Sequence, residues 1–163
     1  MELVPLATVD PHRVETLLDD AFGADRHGRT AYLLRPDTKA IGALSFALTD
    51  TDKILGTIQC WPVHIGSAKL VLIGPVAVST ALQGTGLGTA LMEACLQAAA
   101  LCGEPAMVMI GDPEYYGRFG FSSTATAGWT LPGPWEARRL LARNLGGHIL
   151  PVSGLIEQDT DAL

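Results

Sequence analysis

Long apolar runs and an excess of positive charge are both missing from this sequence of 163 residues. The longest strongly apolar stretch, Leu70 to Val78, is interrupted by Gly74 and Pro75 and is far too short to span a bilayer as a helix. The formal charge of −6 argues against nucleic-acid binding, which needs a basic patch. Residues 1–6 lack the basic and apolar regions of a signal peptide. We therefore expect a cytoplasmic protein whose partners include no membrane and no nucleic acid.

Cysteine is also scarce. The three cysteines, Cys60, Cys95 and Cys102, form neither an even disulfide set nor a zinc-binding pattern, so we expect reduced thiols and no metal. Cys95 and Cys102 lie on one predicted helix, which indicates buried apolar packing for both. Apolar residues make up 48% and charged residues 17%, the composition of a globular protein. The length and composition predict a single domain over residues 1–163.

The order of the predicted elements indicates a mixed α/β domain. Asp10 and Pro11 precede a helix over residues 12–22, whose apolar residues recur at helical spacing and which Gly23 can end. Extended runs separated by turn-type residues then predict an antiparallel meander, followed by a strong helix and a short buried strand. The remaining predicted elements are a short helix at 30–34, strands at 41–49, 54–65 and 69–78, a helix at 87–102, a strand at 106–110, a short helix after Asp112-Pro113 and a final strand at 148–152.

A glycine-rich segment between the last meander strand and the strong helix is the most specific feature. Strand residues Val76, Ala77 and Val78 are followed, after a short connection, by Gln83-Gly84-Thr85-Gly86-Leu87-Gly88-Thr89. Alternate glycines at a helix N-terminus let consecutive backbone amides converge, and the helix dipole adds partial positive charge. Such a loop suits a pyrophosphate. It contains no lysine, so the Gly-Lys-Ser/Thr signature of Walker nucleotide loops is absent.

Two other interpretations of this loop have to be weighed. Gly84, Gly86 and Thr89 approximate the glycine fingerprint of dinucleotide-binding folds, and Glu104 lies twenty residues beyond Gly84. In those folds, however, the acidic residue ends the second strand, whereas Glu104 precedes the strand predicted at 106–110. A meander before the loop is also wrong for a doubly wound sheet. The second interpretation, a glycine-rich helix entry that binds nothing, stays open on these residues alone.

Two motifs together resemble one family. The segment 83–88 resembles the Gln/Arg-x-x-Gly-x-Gly/Ala loop of the GNAT superfamily of N-acyltransferases, and residues 76–78 resemble the strand that accepts the pantetheine arm of its donor. Tyr115-Tyr116-Gly117-Arg118-Phe119-Gly120-Phe121 is similar to the family's aromatic-Tyr-x-Lys/Arg segment that ends in Gly-Phe. Two motifs in this order, with a helix and a strand between them, are more specific than either alone. The resemblance covers residues 41–121. Gly74-Pro75 before the loop and Gly111-Asp112-Pro113 before the tyrosines resemble a branch of small bacterial members whose substrates are mostly unassigned.

This resemblance implies an α/β (α+β) fold with a mixed, mostly antiparallel twisted sheet flanked by helices. Its two central parallel strands, 69–78 and 106–110, would part in a V-shaped splay that holds acetyl-CoA. The backbone of Val76 and Val78 would pair with the pantetheine amides, the amide of Val78 would polarise the thioester carbonyl, and the amides of 84–89 would hold the pyrophosphate. The implied reaction is N-acetylation of a primary amine of a small molecule or protein, by direct attack in a ternary complex. A non-catalytic acyl-CoA sensor remains an alternative, and the oligomeric state, monomer or homodimer, stays open.

The resemblance also assigns catalytic candidates. Tyr116 matches the family's general-acid tyrosine, which would protonate the leaving thiolate, while Tyr115 is expected to pack. Many family members carry a glutamate on the strand before the loop, but residues 69–78 contain no acid. His64, at the end of the neighbouring strand, is one candidate base because its ordinary pKa lies near neutrality. Water is the other candidate proton acceptor.

Three further residues have open or structural interpretations. Asp112 is expected to cap the short helix that Pro113 enters. Trp129 and Trp135, on either side of a Pro-Gly-Pro loop, are candidates either for an acceptor pocket or for ordinary packing.

Overall fold

The computed structural model describes residues 1–162, which form strands, α-helices and short 3₁₀ turns. The strands are β1 (Glu2–Pro5), β2 (Phe46–Asp50), β3 (Lys53–Ile65), β4 (Ala68–Val78), β5 (Ala106–Ile110), β6 (Gly128–Thr130), β7 (Leu140–Asn144), β8 (Ser153–Leu155) and β9 (Glu157–Gln158), and the α-helices are α1 (Pro11–Phe22), α2 (Leu87–Leu101) and α3 (Pro113–Tyr116). The main sheet has the order β1-β2-β3-β4-β5-β7, with β9 paired to β3, and β6 and β8 form a separate pair. In the main sheet every pair is antiparallel except β4 and β5, so the predicted mixed, mostly antiparallel fold is confirmed.

The two long helices begin and end within one residue of their predicted bounds. The side chain of Asp10 accepts a hydrogen bond from the amide of His12 at 3.0 Å, and Gly23 ends α1 with φ +90°. Helix α2 begins after Gly86, which has φ +92°. Among the described residues, no helix combines the length and the apolar character that a membrane crossing demands.

Residues that alternate along β4 belong to two different apolar clusters. Val71 and Ile73 pack in the cluster that contains the buried residues of α2. Leu70 and Leu72 pack in a second cluster with Trp129. Strand β5 alternates in the same way between these clusters. Both faces of the central strands are therefore covered, which explains why their sequences are almost entirely apolar.

A bulge interrupts β4 close to the point where it leaves β5. Ile58 of β3 faces Val76 and Cys60 faces Ile73, so β4 has one extra residue over this step. One inserted residue reverses the faces to which the following side chains point. As a result, Val76 joins the same cluster as Ile73, and Ala77 is buried against α1.

Two predicted strands differ from the structure. The strand expected at 41–49 begins only at Phe46, because residues 42–44 form a 3₁₀ turn. That turn is held by Ser45, whose hydroxyl donates to the carbonyl of Ile41 at 2.8 Å and accepts from the amide of Cys60 at 3.1 Å. The strand expected at 148–152 is absent, because Asn144 accepts hydrogen bonds from the amides of Gly146 and His148 and makes a turn there. Strands β1, β6, β7, β8 and β9 were not predicted.

The cysteine prediction is half right. Cys95 is fully buried in α2, whereas Cys102, just beyond the end of that helix, is exposed. The exposure follows from its position, since Leu101 beside it is also 82% exposed. The prediction of one domain over residues 1–163 stays a prediction, and Leu163 lies outside the described residues.

Candidate active site

A cleft opens where β4 and β5 part. Their parallel pairing ends at Leu72 and Val108, after only two matched positions. Beyond this point β4 remains paired with β3 as far as Val78, and β5 remains paired with β7 as far as Ile110. The predicted V-shaped splay is therefore present, and the edge of β4 that faces β5 is unpaired over residues 73–78.

A cavity of about 1100 Å³ lies at this splay. Residues 73–76 of β4 and residues 109–112 at the end of β5 form two of its walls. A third wall comes from residues 28–32 and Arg35, within a segment at 26–35 that is rich in arginine and that we call the arginine segment. Residues 134–136 complete the cavity, and Thr30 ties them to the arginine segment by donating a hydrogen bond to the carbonyl of Pro134.

Tyr116 lies on the cavity wall at the end of α3. Its ring approaches Gly111 so closely that a Cβ at this glycine would stand 2.7 Å from two ring carbons. Tyr115 packs edge-on against the same ring at 4.8 Å between centroids. Burial, and secondarily the neighbouring Tyr115, raises the pKa of Tyr116 to about 12. The ring of Tyr116 is therefore closely packed, and its phenol stays protonated throughout the neutral range.

Tyr115 connects this wall to α2. Its ring packs against Phe119 at 5.7 Å between centroids, and the Arg118 guanidinium lies 4.4 Å from the ring centre. Its hydroxyl oxygen lies 3.4 Å from Oγ1 of Thr89, in the first turn of α2. The expected packing is present, and the hydroxyl additionally reaches the glycine loop.

The glycine loop leads into α2, whose first amides have no capping side chain. Gly84 and Gly86 have φ of +82° and +92°, a left-handed conformation that favours glycine. No side chain caps α2, and its first helical hydrogen bond runs from the amide of Ala90 to the carbonyl of Gly86 at 3.1 Å. The amides of residues 87–89 thus form a donor-rich end with the partial positive charge of a helix N-terminus.

This end of α2 lies beside the splay. A Cβ at Gly88 would stand 3.4 Å from the hydroxyl of Tyr115 and 3.9 Å from a methyl carbon of Val78. The Gln83 side chain donates to the carbonyl of Val78 at 3.4 Å. Of the strand candidates, Val76 lines the cavity, whereas the Ala77 side chain faces α1. Tertiary structure thus brings together the β4 edge, the glycine loop and the two tyrosines.

Two sequence-based candidates lie elsewhere. His64 faces Lys69 near the start of β4, does not line the cavity, and has its Nδ1 2.9 Å from the carbonyl of Gly66. The hypothesis that His64 is the base is wrong, because β3 carries it away from the splay. Trp129 is buried in the core with its indole nitrogen donating to the Pro151 carbonyl at 2.7 Å. Trp135, in contrast, does line the cavity.

Asp112 has the expected capping role. Its side chain accepts from the amide of Glu114 at 3.0 Å at the start of α3. Hydrogen bonds from Glu114 lower the pKa of this exposed carboxyl.

Sequence reasoning missed the arginines of the cavity, Arg29, Arg35 and Arg139. The available signal was the density of arginine in the segment 26–35 of an otherwise acidic chain. That segment is fixed to α1 by Arg26, a buried side chain that forms ion pairs with Glu15 and Asp19.

The splayed central strands, the bulged β4 and the amide-rich helix end give this chain an α/β fold of the acyltransferase-like class. The model of the Acetyltransferase (GNAT) family matches residues 11–121. The chain belongs to this family, as the sequence motifs had indicated.

Relatives and solved structures agree with that assignment. The chain is 30% identical over 159 residues to the uncharacterized N-acetyltransferase YhbS of Escherichia coli K12, covering 91% of this chain and 90% of that protein. The crystal structure of Escherichia coli YhbS in complex with CoA superposes with a TM-score of 0.76 at 26% identity, covering 97% of this chain and 89% of that one. A GNAT family acetyltransferase from Brucella melitensis in complex with acetyl-CoA has a TM-score of 0.71 at 26% identity, covering 97% and 95%.

Proposed function

We propose that this protein transfers the acetyl group of acetyl-CoA to a primary amine of a small molecule or protein, by direct attack in a ternary complex. The observation that carries the proposal is the splay between β4 and β5, which has the protonated phenol of Tyr116 on one wall and the amide-rich start of α2 at its end. Structural relatives at 26% identity were crystallised with CoA and with acetyl-CoA, which supports the choice of donor.

The residues at the splay fit this donor. The unpaired edge of β4 offers backbone groups of Val76 and Val78 to the two pantetheine amides, as a neighbouring strand would. The amide of Val78 is the candidate donor to the thioester oxygen, where negative charge develops during attack. Backbone amides of residues 84–89, which are uncapped over residues 87–89 at the start of α2, would hold the pyrophosphate without a lysine.

Tyr116 is the proposed general acid. The amine nitrogen forms a bond to the thioester carbon, the carbon–sulfur bond breaks, and the thiolate takes the phenolic proton. A pKa of about 12 makes the phenol a weaker acid than an ordinary tyrosine. The same dry surroundings also disfavour the thiolate, so the two effects partly cancel.

The proton of the attacking amine goes to water in this proposal. Within the described part of the chain, the carboxylates on the cavity wall are Asp112 and Glu136. Asp112 is held as a helix cap with a lowered pKa, which makes it a poor base, and Glu136 is exposed. An amine that arrives neutral, or that loses its proton to solvent, needs neither of them.

The absence of a carboxylate on β4 supports one rival, a non-catalytic acyl-CoA-binding module. Thiol release from acetyl-CoA, measured with and without a panel of primary amines, separates the two functions. The enzyme predicts release that depends on an amine, with calorimetric binding of CoA. Binding of CoA without amine-dependent release for any member of a broad panel would favour the module, and failure to bind CoA would refute both.

A further inference from the structure

The cavity contains more positive charge than its own acids neutralise. Arg29, Arg35 and Arg139 line it together with Asp112 and Glu136, which leaves one net positive charge. In the part of the chain that the structure describes, none of these three guanidinium groups has a carboxylate within 4.0 Å. Arg29 is exposed, whereas Arg35 and Arg139 are half-buried. A half-buried charge costs free energy unless it is paired, so this arrangement suits an anionic ligand.

Arg35 is half-buried and packs against two aromatic rings. Its guanidinium carbon lies 3.9 Å from the ring centre of Tyr32 and 4.6 Å from that of Trp61. Nη2 donates to the carbonyl of Gly74 at 2.7 Å, while Nε has no hydrogen-bond partner among the described residues. Burial lowers the pKa of this guanidinium. Stacking fixes a positive charge beside the bulge of β4, where the splay begins.

Arg139 is anchored through its backbone carbonyl, while its side chain has no hydrogen-bond partner among the described residues. Its carbonyl accepts from the amide of Gly111 at 2.9 Å, which anchors it next to the ring of Tyr116. Its guanidinium makes no hydrogen bond to any described residue and is half-buried on the cavity wall. Arg138, the preceding residue, points away from the cavity and pairs with Glu114.

We infer that the acceptor is a small primary amine that also carries a carboxylate, and that Arg139 and Arg35 recognise this carboxylate. This inference rests on the proposed function. Arginine binds carboxylates through charge-assisted hydrogen bonds, and a single net positive charge matches a monoanion better than a phosphate dianion. The volume of about 1100 Å³ suits a small molecule beside the thioester. Tyr32 and Trp135 on the walls favour an acceptor with an apolar body.

The test measures binding of acetylated products to the protein saturated with CoA, so it does not depend on turnover. Calorimetry compares matched pairs with and without the carboxylate: N-acetyl-L-phenylalanine with N-acetylphenethylamine, N-acetyl-L-leucine with N-isopentylacetamide, and N-acetyl-L-alanine with N-ethylacetamide. N-acetyl-O-phosphoethanolamine supplies a phosphate. We expect at least one carboxylate to bind about 10-fold or more tightly than its neutral partner, the usual strength of a hydrogen bond to a charged group.

Substitutions of the arginines test whether the preference for a carboxylate arises in the cavity. Arg139→Gln should remove most of it and leave the affinity for CoA unchanged, whereas Arg138→Gln, the neighbouring arginine that faces outward, should keep it. Arg139→Lys should restore part of it. The inference would be overturned if no pair showed a preference for the carboxylate, which includes the case of no binding at all. It would also be overturned if the phosphate compound bound more tightly than the carboxylates.

Failure of the inference is distinguishable from failure of the proposed function. Amine-dependent thiol release with equal preference for neutral and carboxylate amines would leave the acetyltransferase standing and refute the carboxylate site. Failure of the protein to bind CoA would refute the proposed function itself.

Discussion

The donor side and the acceptor side of the splay are built in different ways. On the donor side, the β4 edge and the first amides of α2 present mainly backbone groups, and two left-handed glycines shape the loop between them. On the acceptor side, side chains of arginine, tyrosine and tryptophan project from segments more than one hundred residues apart in sequence. A backbone site tolerates change in most side chains but not in its glycines, while a side-chain site can change its ligand by single substitutions.

The largest effect is expected on the donor side. Gly86→Glu should weaken binding of coenzyme A by roughly 100-fold or more, because it places a negative charge where the pyrophosphate must lie. Gly103→Glu is the matched control, since Gly103 follows the other end of α2 with φ +75° and equally open surroundings. Both variants carry the same backbone strain, so calorimetry should show loss only for Gly86→Glu. Equal affinities would remove the loop from the donor site.

The next effect is expected at the junction of the two sides. Tyr116→Phe should lower turnover by roughly 100-fold, the lower end for general acid catalysis, and leave coenzyme A affinity nearly intact. Tyr115→Phe removes a hydroxyl that contacts Thr89 instead and should keep turnover close to the parent. Steady-state kinetics with acetyl-CoA and an active amine measure both. If Tyr116→Phe kept full turnover while the chemical step was shown to be rate-limiting, Tyr116 would not be the general acid and would have only a packing role.

A smaller effect tests the position of the phenol without removing it. Gly111→Ala places a methyl group 2.7 Å from the Tyr116 ring, so the ring must shift and turnover should fall by about 10-fold. Gly117→Ala, in the same segment but with open space around it, is the control. Coenzyme A affinity should be unchanged in both variants. Parental turnover in Gly111→Ala would show that the exact ring position does not matter.

The smallest effect appears in stability at alkaline pH. Well below pH 10 the Tyr116 phenol is protonated in both the folded and the unfolded chain. As the pH rises from 10 towards the folded pKa of about 12, the unfolded chain ionises first, so the folded state loses stability. At pH 11 the loss is about 1.4 kcal/mol. Denaturant unfolding at pH 8 and pH 11 should therefore show a change in the parent that Tyr116→Phe lacks; parallel changes in both proteins would contradict the raised pKa.

The donor side could be predicted from the sequence because the residues that form it lie close together in the chain. Glycine spacing, a helix with an uncapped start and a strand before it lie within fifteen residues, and each leaves a pattern in the chain. The family, the splay between the strands 69–78 and 106–110, and the capping role of Asp112 were predicted in this way and are confirmed. The roles of Tyr116 and of the loop residues remain predictions until variants are measured.

The acceptor side depended on tertiary structure because its determinants are distant from one another. Nothing in the residues near His64 indicates that β3 carries it away from the cavity, and nothing near Arg139 indicates that β7 returns it to Tyr116. The burial of Trp129 and the exposure of Trp135 likewise follow from how the last strands fold back on the sheet. Local patterns in the chain determined the fold family and the donor loop; which side chains meet in the cavity was decided only by packing, since strand order and register set contacts that no short stretch of sequence encodes.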